Sequence, residues 1–119
     1  MAVFVKRKLS GSTNGKPIKI AATATAGTAI HTAVAGTTAG TFDEIWLWCY
    51  NGDTANRILT IEFGGVTVPD QNVVVTVPFK EGAFLVIPGW ILQNGMAVAA
   101  FASAANVLTI TGYVNSITD

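Results

Sequence analysis

Apolar and polar positions alternate along most of this chain in short runs, each closed by turn residues. The clearest run covers residues 42–51, where Ile45, Leu47 and Cys49 fall on one face and Trp46, Trp48 and Tyr50 on the other. A period of two predicts a strand, and apolar residues on both faces predict burial on both, one by the core and one by a neighbouring subunit. Residues 57–63 alternate Leu59, Ile61 and Phe63 inward with Thr60 and Glu62 outward, then stop at Gly64-Gly65. Further strands are predicted over 18–25, 29–34, 73–77, 84–87, 96–101 and 107–114. The last sets Leu108, Ile110 and Val114 opposite Val107, Thr109, Thr111 and Tyr113. Asn51-Gly52-Asp53, Pro69-Asp70 and Gln93-Asn94-Gly95 are turn signals.

Strands this short, with a turn every ~8–12 residues, predict an all-β fold, an antiparallel β-sandwich of about eight strands of jelly-roll or Greek-key type. An immunoglobulin-like sandwich is the nearest competitor, without the disulfide of antibody domains because Cys49 is the single cysteine. No helix longer than a turn or two is expected. The alanine-rich run from Ala97 to Ala105 is read as a strand in its first half, because Val98 and Phe101 are interleaved. Its small side chains leave room for another backbone to approach closely.

Charge sharpens the picture. Only 12% of residues are charged, against ~25% in an ordinary soluble domain, and residues 82–118 carry no charged side chain at all. Pro88-Gly89 and Gln93-Asn94-Gly95 divide that segment into pieces of strand length, too short for the ~20 apolar residues of a membrane helix. So uncharged a chain is expected to cover much of its surface with other chains. Its 119 residues suit one domain and one core. Residues 1–19 hold Lys6, Arg7, Lys8, Lys16 and Lys19 and no acid, while all seven acids follow. We therefore divide the chain into a basic arm, 1–15, and a sandwich domain, 16–119. The arm reads as a solvated flap, as a strand with charged edges, or as a segment docking on an acidic surface. Three consecutive cations make too few phosphate contacts for firm nucleic-acid binding, so no specific nucleic acid is expected. No secretory leader is evident, and synthesis and assembly in a cytoplasm are expected.

Catalytic chemistry is hard to build from this inventory. His31 is the only histidine and has no second imidazole or thiol cluster beside it, so no metal site is expected and the residue reads as a surface or hydrogen-bonded structural group. Asp43 and Glu44 are adjacent on a strand and point to opposite faces, which excludes a carboxylate pair. Glu44 shares a face with Trp46 and Trp48. Burial there would raise its pKa, and a salt bridge to the arm is the simpler expectation. Gly11 to Lys16 has the composition of a phosphate loop, but Pro17 follows and no helix opens, so it reads as a flexible turn. No catalytic residue and no cofactor is expected. Trp46, Trp48, Trp90 and Tyr50 could form a platform for stacking sugars, or pack in the core and at interfaces.

The order from Lys16-Pro17-Ile18-Lys19-Ile20-Ala21-Ala22-Thr23-Ala24-Thr25 to Thr28-Ala29-Ile30-His31-Thr32-Ala33 resembles small virion proteins of tailed bacteriophages. Similar in the same way are Phe42-Asp43-Glu44-Ile45-Trp46-Leu47-Trp48, Leu59-Thr60-Ile61-Glu62-Phe63-Gly64-Gly65-Val66, and the run from Ile87-Pro88-Gly89 through Leu108-Thr109-Ile110-Thr111-Gly112. The resemblance spans about residues 15–117 and rests on strand-and-turn patterns. It implies a capsid decoration (cement) protein or another head or neck accessory, placed on the virion with the major capsid protein as partner. A homo-oligomer, most simply a trimer, would cover the apolar surface. The partner-binding residues expected under this reading are Lys6, Arg7, Lys8, Trp46, Trp48 and Tyr50. A tail, neck or baseplate protein and a carbohydrate-binding module are the alternatives.

Overall fold

The computed structural model describes residues 2–119 and contains no helix among them. Nine strands run in chain order: β1 Val3–Lys8, β2 Ile18–Lys19, β3 Thr28–Thr32, β4 Phe42–Asn51, β5 Arg57–Phe63, β6 Asn72–Val77, β7 Ala83–Leu92, β8 Ala97–Ala102 and β9 Leu108–Thr118. They form two antiparallel sheets, one ordered β1-β9-β4-β7 with β2 also on β9, the other β3-β8-β5-β6. The sheets pack face to face as a β-sandwich. Only β1–β2 and β5–β6 follow one another within a sheet, so most connections cross from one layer to the other.

Alternation explains the core. Ile45, Leu47 and Cys49 of β4 are fully buried beside Ile110 and Val114 of β9, and they meet Leu59, Ile61, Val98 and Ala100 of the facing sheet. Burial pushes the Cys49 thiol up to about 12, so it packs as a small apolar group. Strand β4 ends where Asn51 turns its side chain inward. Its Nδ2 donates to the carbonyls of Val77 and Ala55 at 2.8 and 3.0 Å, and its Oδ1 accepts from the Asp53 amide at 2.9 Å.

Four elements depart from the sequence-based expectation. The strand expected over 18–25 keeps only Ile18–Lys19 on β9. The following alanines and threonines supply too little apolar surface to hold a ladder, and the segment becomes a loop over the facing sheet. Glu62, expected to point to solvent, lies under that loop at 1% exposure. Its carboxylate accepts from Thr25 Oγ1 and from the Gly27 amide, both at 2.7 Å. Gly27 in turn comes so close to Ala100 that a β-carbon would fall 2.6 Å from that residue's carbonyl.

The strand expected to end at Pro88-Gly89 continues to Leu92. β7 is an edge strand, where proline costs no ladder bond, and Gly89 (φ 79°) is the extra residue of a bulge between the Ile45–Trp90 and Trp46–Pro88 pairs. Finally, the turn at Gly11 to Lys16 is tied down. The Gly11 amide donates to Ile30 O at 2.9 Å, and the buried Ser12 hydroxyl donates to Lys16 O at 2.7 Å.

The basic amino-terminal segment contributes β1, which pairs along its whole length with β9. Leu9, the residue after it, is part of the core.

Candidate docking face of the five-stranded sheet

Register across the five-stranded sheet assembles a surface from four strands and the short β2. Because Ile45, Leu47 and Cys49 face inward, Glu44, Trp46, Trp48 and Tyr50 face out, and their ladder partners face out with them. One row across the sheet reads Lys6, Asn115, Glu44, Ile91 and the next Lys8, Tyr113, Trp46, Pro88. Below these come Thr111, Trp48, Leu85, and then Lys19, Thr109, Tyr50, Ala83. Phe4, opposite Ile117, extends the face at its far end. Lysines therefore mark the β1/β2 edge, aromatic rings the middle, and aliphatic residues the β7 edge.

The middle is a packed cluster. The Trp46 ring centroid lies 6.4 Å from that of Trp48 and 6.5 Å from that of Tyr113, and Trp48 and Tyr113 are 6.0 Å apart. Gly89 is needed beneath it, since a β-carbon there would fall 2.7 Å from Trp46 Cζ2. Lys6 Nζ sits 4.1 Å from the Tyr113 ring centroid, a cation–π contact.

Glu44 makes no salt bridge to the arm. Its Oε1 accepts from Trp46 Nε1 at 2.7 Å and from Asn115 Nδ2 at 3.0 Å. Those hydrogen bonds, Trp46 first, hold its pKa below the ordinary 4.5. Partial burial pushes the other way and is outweighed by the two hydrogen bonds. Such a group contributes stability above its unfolded-state pKa, and the contribution is lost as pH falls through the folded-state value. We expect the Trp46 indole N–H resonance to titrate with a midpoint below 4.5; a midpoint above that value would mean that the bond does not form in solution.

Of the residues expected to bind a partner, Lys6, Lys8, Trp46, Trp48 and Tyr50 share this face. Lys8 bends back so that its Nζ donates to Ser12 O at 3.1 Å. Arg7 does not belong to it. It pairs with the inward-facing Val114 and lies on the opposite side of β1. Trp90 is also separate, since it pairs with Ile45 and meets Phe63 edge-on at 5.6 Å. Sequence reasoning missed Lys19, Leu85, Ile91, Tyr113 and Asn115 as parts of one surface. Their outward phase was legible strand by strand, but the ladder register that joins them was not.

The face leaves much apolar surface uncovered, with Leu85 47%, Ile91 57% and Phe4 74% exposed. Strand spacing and rise give it dimensions of about 19 by 30 Å, or roughly 600 Å². That is near the top of the patch sizes found on monomers and close to one side, ~800 Å², of a standard interface. Lys6, Lys8 and Lys19 have no carboxylate partner among the described residues, and Glu44 is the one acid on the face.

Among the described residues His31 and Asp43 form the one buried pair of ionisable side chains, with Nε2 and Oδ2 2.6 Å apart. The Ser10 amide donates to His31 Nδ1 at 3.0 Å, which fixes the tautomer with the proton on Nε2, donated to Asp43. Both imidazole nitrogens are thus engaged, and the Ser10 hydroxyl accepts from the Thr32 amide at 2.7 Å. The arrangement braces the β3–β4 end of the sandwich and leaves the histidine no free nitrogen with which to activate a nucleophile. Among the described residues no three His, Cys, Asp or Glu side chains gather as metal ligands. No helix among them is long and apolar enough to cross a membrane.

No protein family model matches the chain, and neither a curated protein nor a solved structure is significantly similar to it.

Proposed function

We propose that the protein is a non-enzymatic structural subunit of a tailed-phage virion that decorates and stabilises the capsid, docking through the outer face of its five-stranded sheet. The observation that carries this reading is the face itself, a broad aromatic and aliphatic surface bordered by unpaired lysines. A surface with three lysines and one hydrogen-bonded acid suits an acidic partner such as a patch on the major capsid protein better than a second copy of itself. The sequence resemblance points the same way. So does the strand order, which fits a jelly roll, an architecture found in capsid and lectin domains. Architecture alone would not decide function. A decoration protein works by burying area at many equivalent positions, so modest contacts add up across a lattice.

The homo-oligomer best suited to this task is a trimer on a three-fold axis. Light scattering after size exclusion tests it, on the whole chain and on a chain lacking residues 2–8. The cut must stop before Leu9, which belongs to the core. A trimer that survives the cut supports a cement protein whose first strand serves the capsid. A monomer in both cases contradicts the trimer.

A carbohydrate-binding reading draws on Trp46, Trp48 and Tyr113 lying beside Asn115 and Glu44. Quenching of tryptophan fluorescence by a glycan panel would favour it over attachment to protein. A tail, neck or baseplate role shares the docking chemistry and differs in copy number.

A further inference from the structure

The side of the sandwich opposite β7 is open. Edge strands β1 and β3 border it, and the inward row of β1, Val3, Val5 and Arg7, is left exposed as its outer row is. A groove of about 570 Å³ lies there, lined by Arg7, Ser10, His31, Asp43, Ser116 and Thr118 among others. That size falls within the ~300–1,000 Å³ of small-molecule sites.

Its inner end carries a half-satisfied carboxylate. Asp43 is 3% exposed, and both of its hydrogen bonds go to Oδ2, from His31 Nε2 at 2.6 Å and from the Val34 amide at 3.2 Å. Oδ1 is buried and has no hydrogen-bond partner among the described residues. A buried carboxylate oxygen without a donor is costly, and such groups are ordinarily met by a donor from protein, water or ligand. Ser116, its ladder partner on β9, is buried beside it. Nearer the rim, Arg7 has no ion pair among the described residues. The groove thus offers an acceptor for a cation at one end and a guanidinium for an anion at the other. The tautomer fixed by Ser10 keeps His31 donating to Oδ2, so the histidine holds the carboxylate in place and does not compete for Oδ1.

We propose that this groove binds a ligand of amino-acid type, whose ammonium donates to Asp43 Oδ1 while its carboxylate pairs with Arg7. A lone cation would meet Arg7 and Lys8 as like charges, and a lone anion would meet Asp43. Only a molecule carrying both groups satisfies the two ends at once. Arg7 and Asp43 lie on the other side of β1 from the docking face, which shares only Lys8 with the groove, so the two readings fail independently.

The test is an amide NMR titration of the full chain with 6-aminohexanoate and lysine, against pentylamine and hexanoate as probes with one end missing. Saturable shifts at Ser10, Val34 and Ser116 are expected with the two zwitterions, at least tenfold weaker with either single-ended probe. Arg7→Gln is expected to remove the preference for 6-aminohexanoate over pentylamine, and Asp43→Asn the preference over hexanoate. Arg7 is exposed and its replacement leaves the core intact, which keeps the test valid if Asp43→Asn fails to fold. A peptide ending in lysine, run beside free lysine, separates a chain terminus from a free amino acid as the source. Absence of saturable shifts with either zwitterion, or equal binding of hexanoate, would overturn the proposal.

Discussion

Replacing Gly112 with alanine is expected to lower the unfolding free energy by about 3 kcal/mol, the upper end of the usual cost of overpacking. Gly112 lies opposite Leu47 where β9 and β4 pair at the centre of the five-stranded sheet. A β-carbon there would collide with the Trp46 carbonyl oxygen and fall 3.1 Å from Leu47 Cα. These are backbone atoms, so no rotamer change relieves the contact and the two central strands must part. Leu47 seals the core on one side of that junction and Trp46 anchors the aromatic cluster on the other, so both suffer. Against a typical stability of ~5–15 kcal/mol the loss is large. It should appear as a fall of roughly 10 °C in Tm, read by calorimetry together with loss of the tryptophan near-ultraviolet signal. Gly15 is the control. It has φ +82° but nothing within 4 Å of a β-carbon, so Gly15→Ala should cost only the ~1 kcal/mol of a left-handed backbone. Equal melting of Gly112→Ala and wild type would show that the strands are not so close in solution.

The second large effect is on attachment. Leu85→Asp is expected to weaken binding to the capsid at least 30-fold, the loss of an interface anchor worth ~2 kcal/mol. Leu85 is exposed, takes no part in the core cluster, and stands beside Trp48 on the face. Its replacement should therefore leave stability within ~0.5 kcal/mol. Lys6→Glu is expected to slow association and to flatten its salt dependence, because it cancels the net positive charge of a face with three lysines and one acid, against the acidic partner proposed. Val74→Asp, at a still more open position on the other sheet, should leave attachment unchanged. Co-sedimentation with particles at two salt concentrations reads all three. Wild-type attachment by Leu85→Asp would place the contact elsewhere.

Much of this fold was legible as alternation. β4 and β5 run over the residues expected, with the expected faces inward, because each has large apolar side chains at every second position and a glycine or asparagine turn to end it. For the basic arm a charged-edge strand was one of three readings, and β1 selects it: Val3 and Val5 share a phase, but with every β1 residue exposed no buried face marked the strand in advance. The continuation of β7 through Pro88-Gly89 could not be read either, since it depends on that strand lying at an edge, a property of sheet order. Glu62 was misplaced for a similar reason: only the path of residues 21–27 covers it. The docking face was half visible. Trp46, Trp48 and Tyr50 announced it, while Tyr113, Leu85 and Lys19 joined it through register. The His31–Asp43 pair was not visible at all, because a bulge between Ala29 and His31 turns the histidine inward together with Ile30.

The central claim is that the chain serves a virion by occupying many equivalent capsid positions. Counting its copies in purified particles, by quantitative mass spectrometry against the major capsid protein, tests that claim most directly. The account predicts hundreds of copies in a fixed ratio to capsid subunits. A few tens would move the protein to the neck or tail, and none would contradict the account outright.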